Sequence, residues 1–118
     1  MWKKLFGLGS SSAVKIQNIT ASDLHQRMQN DKSIILLDVR TDQEYRHDGH
    51  IPGTRHIPLS NLEQQSGKLP KDRPIVCVCR SGNRSRTACQ QLANQGFTEV
   101  INLSGGMIAW QQARLPVK

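Results

Sequence analysis

The sequence predicts an α/β fold with a mostly parallel central sheet and helices on both faces. Residues 33–39 and 75–79 are short, continuous apolar runs rich in β-branched side chains, which is typical of strands buried on both faces of a parallel sheet. Strand and helix patterns alternate along the chain, as in α/β proteins. A length of 118 residues with 36% hydrophobic side chains fits one domain that buries its own core.

The expected elements begin and end at recognisable caps and turns. Thr20 or Ser22 is placed to cap the first helix, and Gly96 to end the fourth. Thr41 to Glu44 and Ser60 to Glu63 have the spacing of capping boxes, so each predicts a helix start. Pro52-Gly53 and Gly105-Gly106 predict turns. In chain order we expect a strand at 14–19, helix at 20–30, strand at 33–39, helix at 41–49, strand at 54–57, helix at 60–67, strand at 75–79, helix at 85–94, strand at 99–103 and helix at 107–112.

Composition restricts the class of protein. Sixteen basic and nine acidic side chains give a net charge of +7, a field that attracts small anions. Nucleic acid is disfavoured, because aromatic residues are 4% and no basic run exceeds Lys3-Lys4. Three cysteines, an odd number, favour a reducing compartment, and we expect the cytoplasm. Residues 5–8 are too short an apolar stretch for export, and no stretch is long enough for a membrane span. Residues 1–13 are expected to be a flexible lead-in, and residues 14–118 the domain.

The segment that follows the strand at 75–79 carries the chemistry. Cys79 ends this strand, a polar loop containing Gly82 follows, and a helix begins near Ser85. Ligand sites of such sheets lie beyond the carboxyl ends of the strands. Gly82 can adopt a positive φ, which lets successive backbone N–H groups point inward at the sulfur. Such donors favour a thiolate, so Cys79 is expected to be a nucleophile.

A loop of this kind can hold a persulfide. Backbone N–H groups of residues 80–85 would stabilise an ionised Cys79–S–SH, and the guanidinium groups of Arg80 and Arg84 suit an oxyanion such as thiosulfate. The expected reaction is a double displacement, in which Cys79 takes sulfur from a donor and a second nucleophile removes it. This chemistry requires no metal and no organic cofactor.

Several segments together resemble the sulfurtransferase family of single-domain rhodaneses, from about Ile16 to Val117. They are Leu37-Asp38-Val39-Arg40, Glu44-Tyr45, Gly49-His50-Ile51-Pro52-Gly53-Thr54, Ile57-Pro58, the loop Cys79-Arg80-Ser81-Gly82-Asn83-Arg84-Ser85, Leu103-Ser104-Gly105-Gly106-Met107-Ile108-Ala109-Trp110 and Leu115-Pro116-Val117. Arg114 stands where many members have glycine. The resemblance implies a three-layer fold with five strands, a persulfide on Cys79, and transfer of sulfane sulfur from thiosulfate or a persulfide to cyanide or a thiol.

Two other functions stay open at this point. One is a carrier that passes persulfide sulfur between protein partners in a relay without efficient turnover. The other is a small cysteine phosphatase or arsenate reductase, which is disfavoured because such phosphatases place one more residue between cysteine and arginine than the four between Cys79 and Arg84. Ser85 stands at the phosphatase arginine position.

Several candidate residues also have a purely structural interpretation. Cys79 can be read as a core thiol, and core packing is favoured for Cys77 and Cys89. Asp38 and Arg40 are expected either to orient the loop or the donor, or to form strand-end contacts, with Arg40 paired to Glu44. His47, His50 and His56 lack a metal-ligand spacing, so no metal site is expected.

Overall fold

In this computed structural model, residues 14–118 form a five-stranded sheet flanked by helices. The lead-in expected for residues 1–13 lies outside the described residues. The strands are β1 (Gln17–Ile19), β2 (Ile35–Asp38), β3 (Arg55–His56), β4 (Ile75–Val78) and β5 (Val100–Leu103). The helices are α1 (Ala21–Asn30), α2 (Asp42–His47), α3 (Leu62–Gln65), α4 (Asn83–Asn94) and α5 (Gly106–Gln112), with 3-10 turns at Leu59–Asn61 and Ser66–Lys68.

The strand order in the sheet is β1-β5-β4-β2-β3, and every pairing in it is parallel. The central strand β4 pairs Cys77 with Leu37 on one side and with Asn102 on the other. The carboxyl ends of β2, β4 and β5 therefore meet at one edge of the sheet. The predicted α/β fold with a five-stranded, mostly parallel sheet is confirmed.

Each face of the sheet is covered by its own helices. Alternate residues of β4 point to opposite faces, so that Cys77 and Cys79 join one core cluster while Val76 and Val78 join the other. The first cluster includes Leu92 of α4 and Leu62 of α3. The second is covered by residues of α1 and α5. This three-layer packing leaves the carboxyl edge of the sheet as the place where loops can meet.

The ends of two helices differ from expectation. Thr20 caps α1 and Thr41 forms a capping box with Glu44, as predicted. The capping box expected at Ser60 is wrong, because a 3-10 turn already begins at Leu59 and places Ser60 inside helical backbone. Helix α4 begins at Asn83 rather than at residue 85, because Gly82 supplies the left-handed residue before it.

In the part of the chain that the structure describes, none of the helices has the length and apolar character needed to cross a bilayer.

Candidate functional site

Cys79 lies directly after β4, at the carboxyl edge of the sheet and in front of α4. Its side chain is 1% exposed and reaches the core cluster beneath α4. The chain then turns through exposed Arg80 and Ser81. Gly82 follows with φ of 106°, the positive φ predicted from the sequence. A side chain is rarely tolerated in this conformation, so glycine is needed here to bring the loop around the sulfur.

The Cys79 sulfur lies within hydrogen-bond distance of two groups. The Gly82 N–H donates to Sγ at 3.1 Å, and the Ser85 hydroxyl lies 3.3 Å from it. Burial raises the pKa of Cys79, but hydrogen bonds from the Ser85 hydroxyl and from the backbone of Ser85, Gly82 and Ser81 outweigh it. The net pKa of Cys79 is lowered. The loop therefore favours the thiolate in spite of its burial, as the sequence predicts.

Asn102 ties this loop to the neighbouring strand β5. Ser85 donates to Asn102 Oδ1 at 2.5 Å. The amide Nδ2 of Asn102 donates to the Gly82 carbonyl at 3.3 Å and lies 3.4 Å from Asn18 Oδ1 on β1. Asn102 is 1% exposed, and these contacts satisfy its polar atoms without water. It holds both the loop and the first turn of α4, and sequence reasoning gave no indication of this role.

The start of α5 holds the other side of the loop. Its backbone N–H groups at Met107 and Ile108 donate to the carbonyls of Cys79 and Arg80 at 2.8 and 3.1 Å. The approach is possible because Gly106 has no side chain. A Cβ on Gly106 would lie 2.3 Å from the Cys79 carbonyl oxygen. The sequence identified Gly105-Gly106 as a turn only; the structure shows that Gly106 is also a site of close backbone contact.

The arginines of the loop differ in their surroundings. Arg80 is exposed and makes no side-chain hydrogen bond within residues 14–118. Arg84 forms a two-pronged pair with Glu44 of α2, at 2.7 and 2.8 Å. Hydrogen bonding to Arg84 lowers the pKa of Glu44 to about 2. Glu44 in turn raises the pKa of Arg84, with a smaller contribution from the nearby Cys79. The guanidinium of Arg84 is therefore engaged by a carboxylate.

Asp38 and Arg40 form a buried ion pair. Their shortest contact is 2.7 Å, the side chains are 0% and 2% exposed, and Arg40 also donates to the Gly49 carbonyl at 2.8 Å. The expected pairing of Arg40 with Glu44 is wrong, because Glu44 reaches Arg84 instead. The Asp38 carboxylate accepts hydrogen bonds only from Arg40 among the described residues. The pair braces the end of β2.

The exposed positions Ser81 and Asn83 complete the loop, and no side-chain hydrogen bond is made by either within residues 14–118. Two histidines pack against Tyr45: the rings of His50 and His56 stack on opposite faces of the Tyr45 ring, with ring centroids 3.9 and 4.2 Å away. His50 also donates through Nδ1 to the Tyr45 carbonyl at 3.0 Å.

The other two cysteines lie in the core. Cys77 and Cys89 are both 0% exposed and unbonded to another sulfur. A hydrogen bond with Cys89, together with burial, raises the pKa of Cys77 well above its ordinary value. Core packing, the interpretation favoured from the sequence, is confirmed for both. The pKa shifts of Cys77 and Cys79 therefore have opposite directions, although both thiols belong to the same core cluster.

Comparison with known proteins identifies the family of this arrangement. A family model described as Rhodanese-like domain matches residues 20–113. A protein named sulfurtransferase, from Allochromatium vinosum, is 38% identical over 102 residues, which cover 86% of this chain and 94% of that protein. The thiosulfate sulfurtransferase GlpE of Shewanella oneidensis is 39% identical over 82 residues, which cover 70% of this chain and 80% of that protein.

A solved structure is similar over nearly the same region. The crystal structure of a rhodanese-related protein from Thermoplasma volcanium superposes with a TM-score of 0.78 at 31% identity. The match covers 86% of this chain and 97% of that chain.

Proposed function

Because this chain belongs to the rhodanese-like domain family and is similar to a protein named sulfurtransferase, we propose that it is a sulfurtransferase that works through a persulfide on Cys79. One observation carries the proposal. The Gly82 N–H and the Ser85 hydroxyl converge on a thiol whose pKa is lowered although its side chain is 1% exposed. A thiol that served only in packing would have its pKa raised by burial, as Cys77 does.

In the proposed first step, the Cys79 thiolate attacks the outer sulfur of thiosulfate or of an organic persulfide. A new S–S bond forms to Cys79, and the bond to sulfite or to the donor thiol breaks with its electron pair on the leaving group. In the second step cyanide or a thiol attacks the outer sulfur of Cys79–S–S⁻ and restores the thiolate. Because Cys79 is buried, the donor's transferable sulfur enters the loop while the rest of the donor stays outside, next to exposed Arg80.

Residues 79–85 have distinct roles in this proposal. The backbone N–H groups from Arg80 to Ser85 hold the negative charge of the persulfide, which needs no cofactor. Arg80, the exposed guanidinium, contacts the anionic end of thiosulfate. Asp38 and Arg40 act as a brace rather than as substrate ligands, because they satisfy each other. We place this activity in the cytoplasm, where reducing conditions keep Cys79 available as a thiol.

Intact-mass analysis after incubation with thiosulfate tests the proposal. We expect a sulfur adduct that maps to Cys79, disappears on addition of cyanide with release of thiocyanate, and is absent in Cys79→Ser. Cys89→Ala, a change at a core thiol, serves as the matched control and should keep the adduct. Absence of any adduct on Cys79 with thiosulfate and with an organic persulfide would refute persulfide chemistry.

A steady-state assay with thiosulfate and cyanide distinguishes the carrier alternative. Saturable turnover with ping-pong kinetics supports the enzyme, whereas loading from a protein persulfide without turnover of small donors supports a relay carrier. Hydrolysis of p-nitrophenyl phosphate that depends on Cys79 would instead support the phosphatase alternative. The use of thiosulfate as a donor is part of this proposal. It is supported by the similarity to a thiosulfate sulfurtransferase that is 39% identical to this chain.

A further inference from the structure

Glu44 approaches the loop from outside it and is held in place from two sides. As the third residue of the α2 capping box, its Oε1 accepts the Thr41 N–H at 3.0 Å and the Thr41 hydroxyl at 3.1 Å. The same carboxylate accepts two hydrogen bonds from Arg84. Since the capping box holds the carboxylate on its own helix independently of Arg84, Glu44 is the fixed partner in this pair.

This pairing changes the charge that the loop offers to a substrate. Both terminal nitrogens of Arg84 point at Glu44, so the fork that would bind an oxyanion is already occupied. The pair carries no net charge, and its carboxylate is only 22% exposed. Arg80 keeps its positive charge without a side-chain partner in residues 14–118. The loop therefore presents one available guanidinium where its sequence contains two.

We propose that Glu44 is a specificity-determining residue that directs this site towards organic persulfides of low net charge and away from the thiosulfate dianion. This inference rests on the proposed persulfide chemistry at Cys79 and names the preferred class of donor. A donor with a charged sulfonate end must compete with a carboxylate that is already bound to Arg84. A persulfide derived from a thiol has no sulfonate group, so the pairing of Glu44 with Arg84 does not weaken its binding.

The leaving groups give a second reason. With thiosulfate, Cys79–S⁻ and S–SO₃²⁻ yield Cys79–S–S⁻ and SO₃²⁻, so the fragment that leaves is a dianion. With a persulfide, Cys79–S⁻ and R–S–SH yield Cys79–S–S⁻ and R–SH, and the departing thiol is neutral once it takes the proton. Both steps balance without any oxidant or reductant. Sulfite would therefore gain from an unoccupied guanidinium fork, which the pairing of Arg84 with Glu44 removes, whereas a neutral thiol would not.

The test compares two donors on one protein. Rates of Cys79 loading are measured by quenched intact mass with thiosulfate and with cysteamine persulfide, whose ammonium group offsets its negative charge. In Glu44→Gln the amide keeps the capping box, because glutamine also serves at this position, but it no longer neutralises Arg84. We expect thiosulfate loading to rise about fivefold, the order that one partly exposed charge pair contributes, and cysteamine persulfide loading to stay within about twofold.

Glu63→Gln is the matched control, because it removes the same charge from an exposed side chain on α3. It should leave the ratio of the two loading rates unchanged. Because the readout is the ratio of two loading rates of one protein sample, a partial loss of folded protein cancels. Glu44→Ala should change this ratio in the same direction as Glu44→Gln. Equal changes for both donors in Glu44→Gln, or the same shift in Glu63→Gln, would overturn the inference while leaving the Cys79 persulfide standing. Failure of both donors to load the wild-type protein would overturn both.

Discussion

Gly106 provides the sharpest structural test of how the loop around Cys79 is held. A Cβ at this position would lie 2.3 Å from the Cys79 carbonyl oxygen and 2.6 Å from both the carbonyl carbon and the carbonyl oxygen of Arg80. These are backbone atoms of the loop itself, so they cannot rotate away as the end of a flexible side chain would. Gly106→Ala must therefore move either the loop or the start of α5.

The expected cost has two parts. Gly106 has φ of 56°, and alanine in this left-handed region costs about 1–2 kcal/mol. Relief of the overlap with the Cys79 and Arg80 backbone costs about 1–3 kcal/mol more, as for other overpacked sites. Gly106→Ala should therefore lower the free energy of unfolding by about 2–5 kcal/mol. It should also slow the loading of Cys79, because the displaced loop no longer aims the Gly82 N–H at the sulfur.

Gly53→Ala separates the two parts. Gly53 has φ of 84°, but a Cβ there would meet nothing within 4 Å. It should show the backbone cost of about 1–2 kcal/mol alone and leave Cys79 loading unchanged. Urea unfolding and quenched intact mass measure both variants. If Gly106→Ala and Gly53→Ala agree within about 0.5 kcal/mol and load sulfur at wild-type rates, the start of α5 does not hold the loop in the way described.

Three further results are expected. Iodoacetamide should alkylate folded Cys79 with a pKa below about 8.5, the free-cysteine reference, and should leave Cys77 unmodified until unfolding; a Cys79 value above it would contradict the loop's role. Ser85→Ala should raise the Cys79 pKa in the same assay, because it removes a hydrogen bond that lowers it, and an unchanged value would remove the hydroxyl from this role. Asp38→Ala should cost about 3–5 kcal/mol in urea unfolding, because it leaves the Arg40 charge buried and unpaired, and a loss below 1 kcal/mol, the order of a surface pair, would contradict a buried brace.

The fold and the position of Cys79 were predictable because they depend on local patterns. Continuous apolar runs predicted the buried strands. Because Cys79 ends one of these runs, it was expected at the carboxyl edge of the sheet. The left-handed conformation of Gly82 also followed from its place in a tight loop. Each of these inferences requires only residues that are close together in the chain.

The supports of the loop were not predictable in the same way. Asn102 lies 17 residues from Ser85, and Glu44 lies 40 residues from Arg84. Pairing over such distances depends on which strands become neighbours, and sequence order does not give the strand order of the sheet. Glu44 was therefore assigned to the wrong arginine, and the strand residue Asn102 received no role. Gly105-Gly106 was predicted as a turn only, although a glycine can also stand where another backbone approaches closely.

The hydrogen bonds of the Ser85 hydroxyl indicate that the backbone, more than the side chains, should set the reactivity of Cys79. The hydroxyl has one proton, which it donates to Asn102 Oδ1 while the thiol donates to it. When Cys79 ionises, that proton must turn towards the sulfur, and the buried Asn102 oxygen then loses its donor, which opposes ionisation. The Gly82 N–H has no competing acceptor to abandon, so its stabilisation of the thiolate comes without this loss. Displacing the loop should therefore impair Cys79 more than removing the Ser85 hydroxyl does.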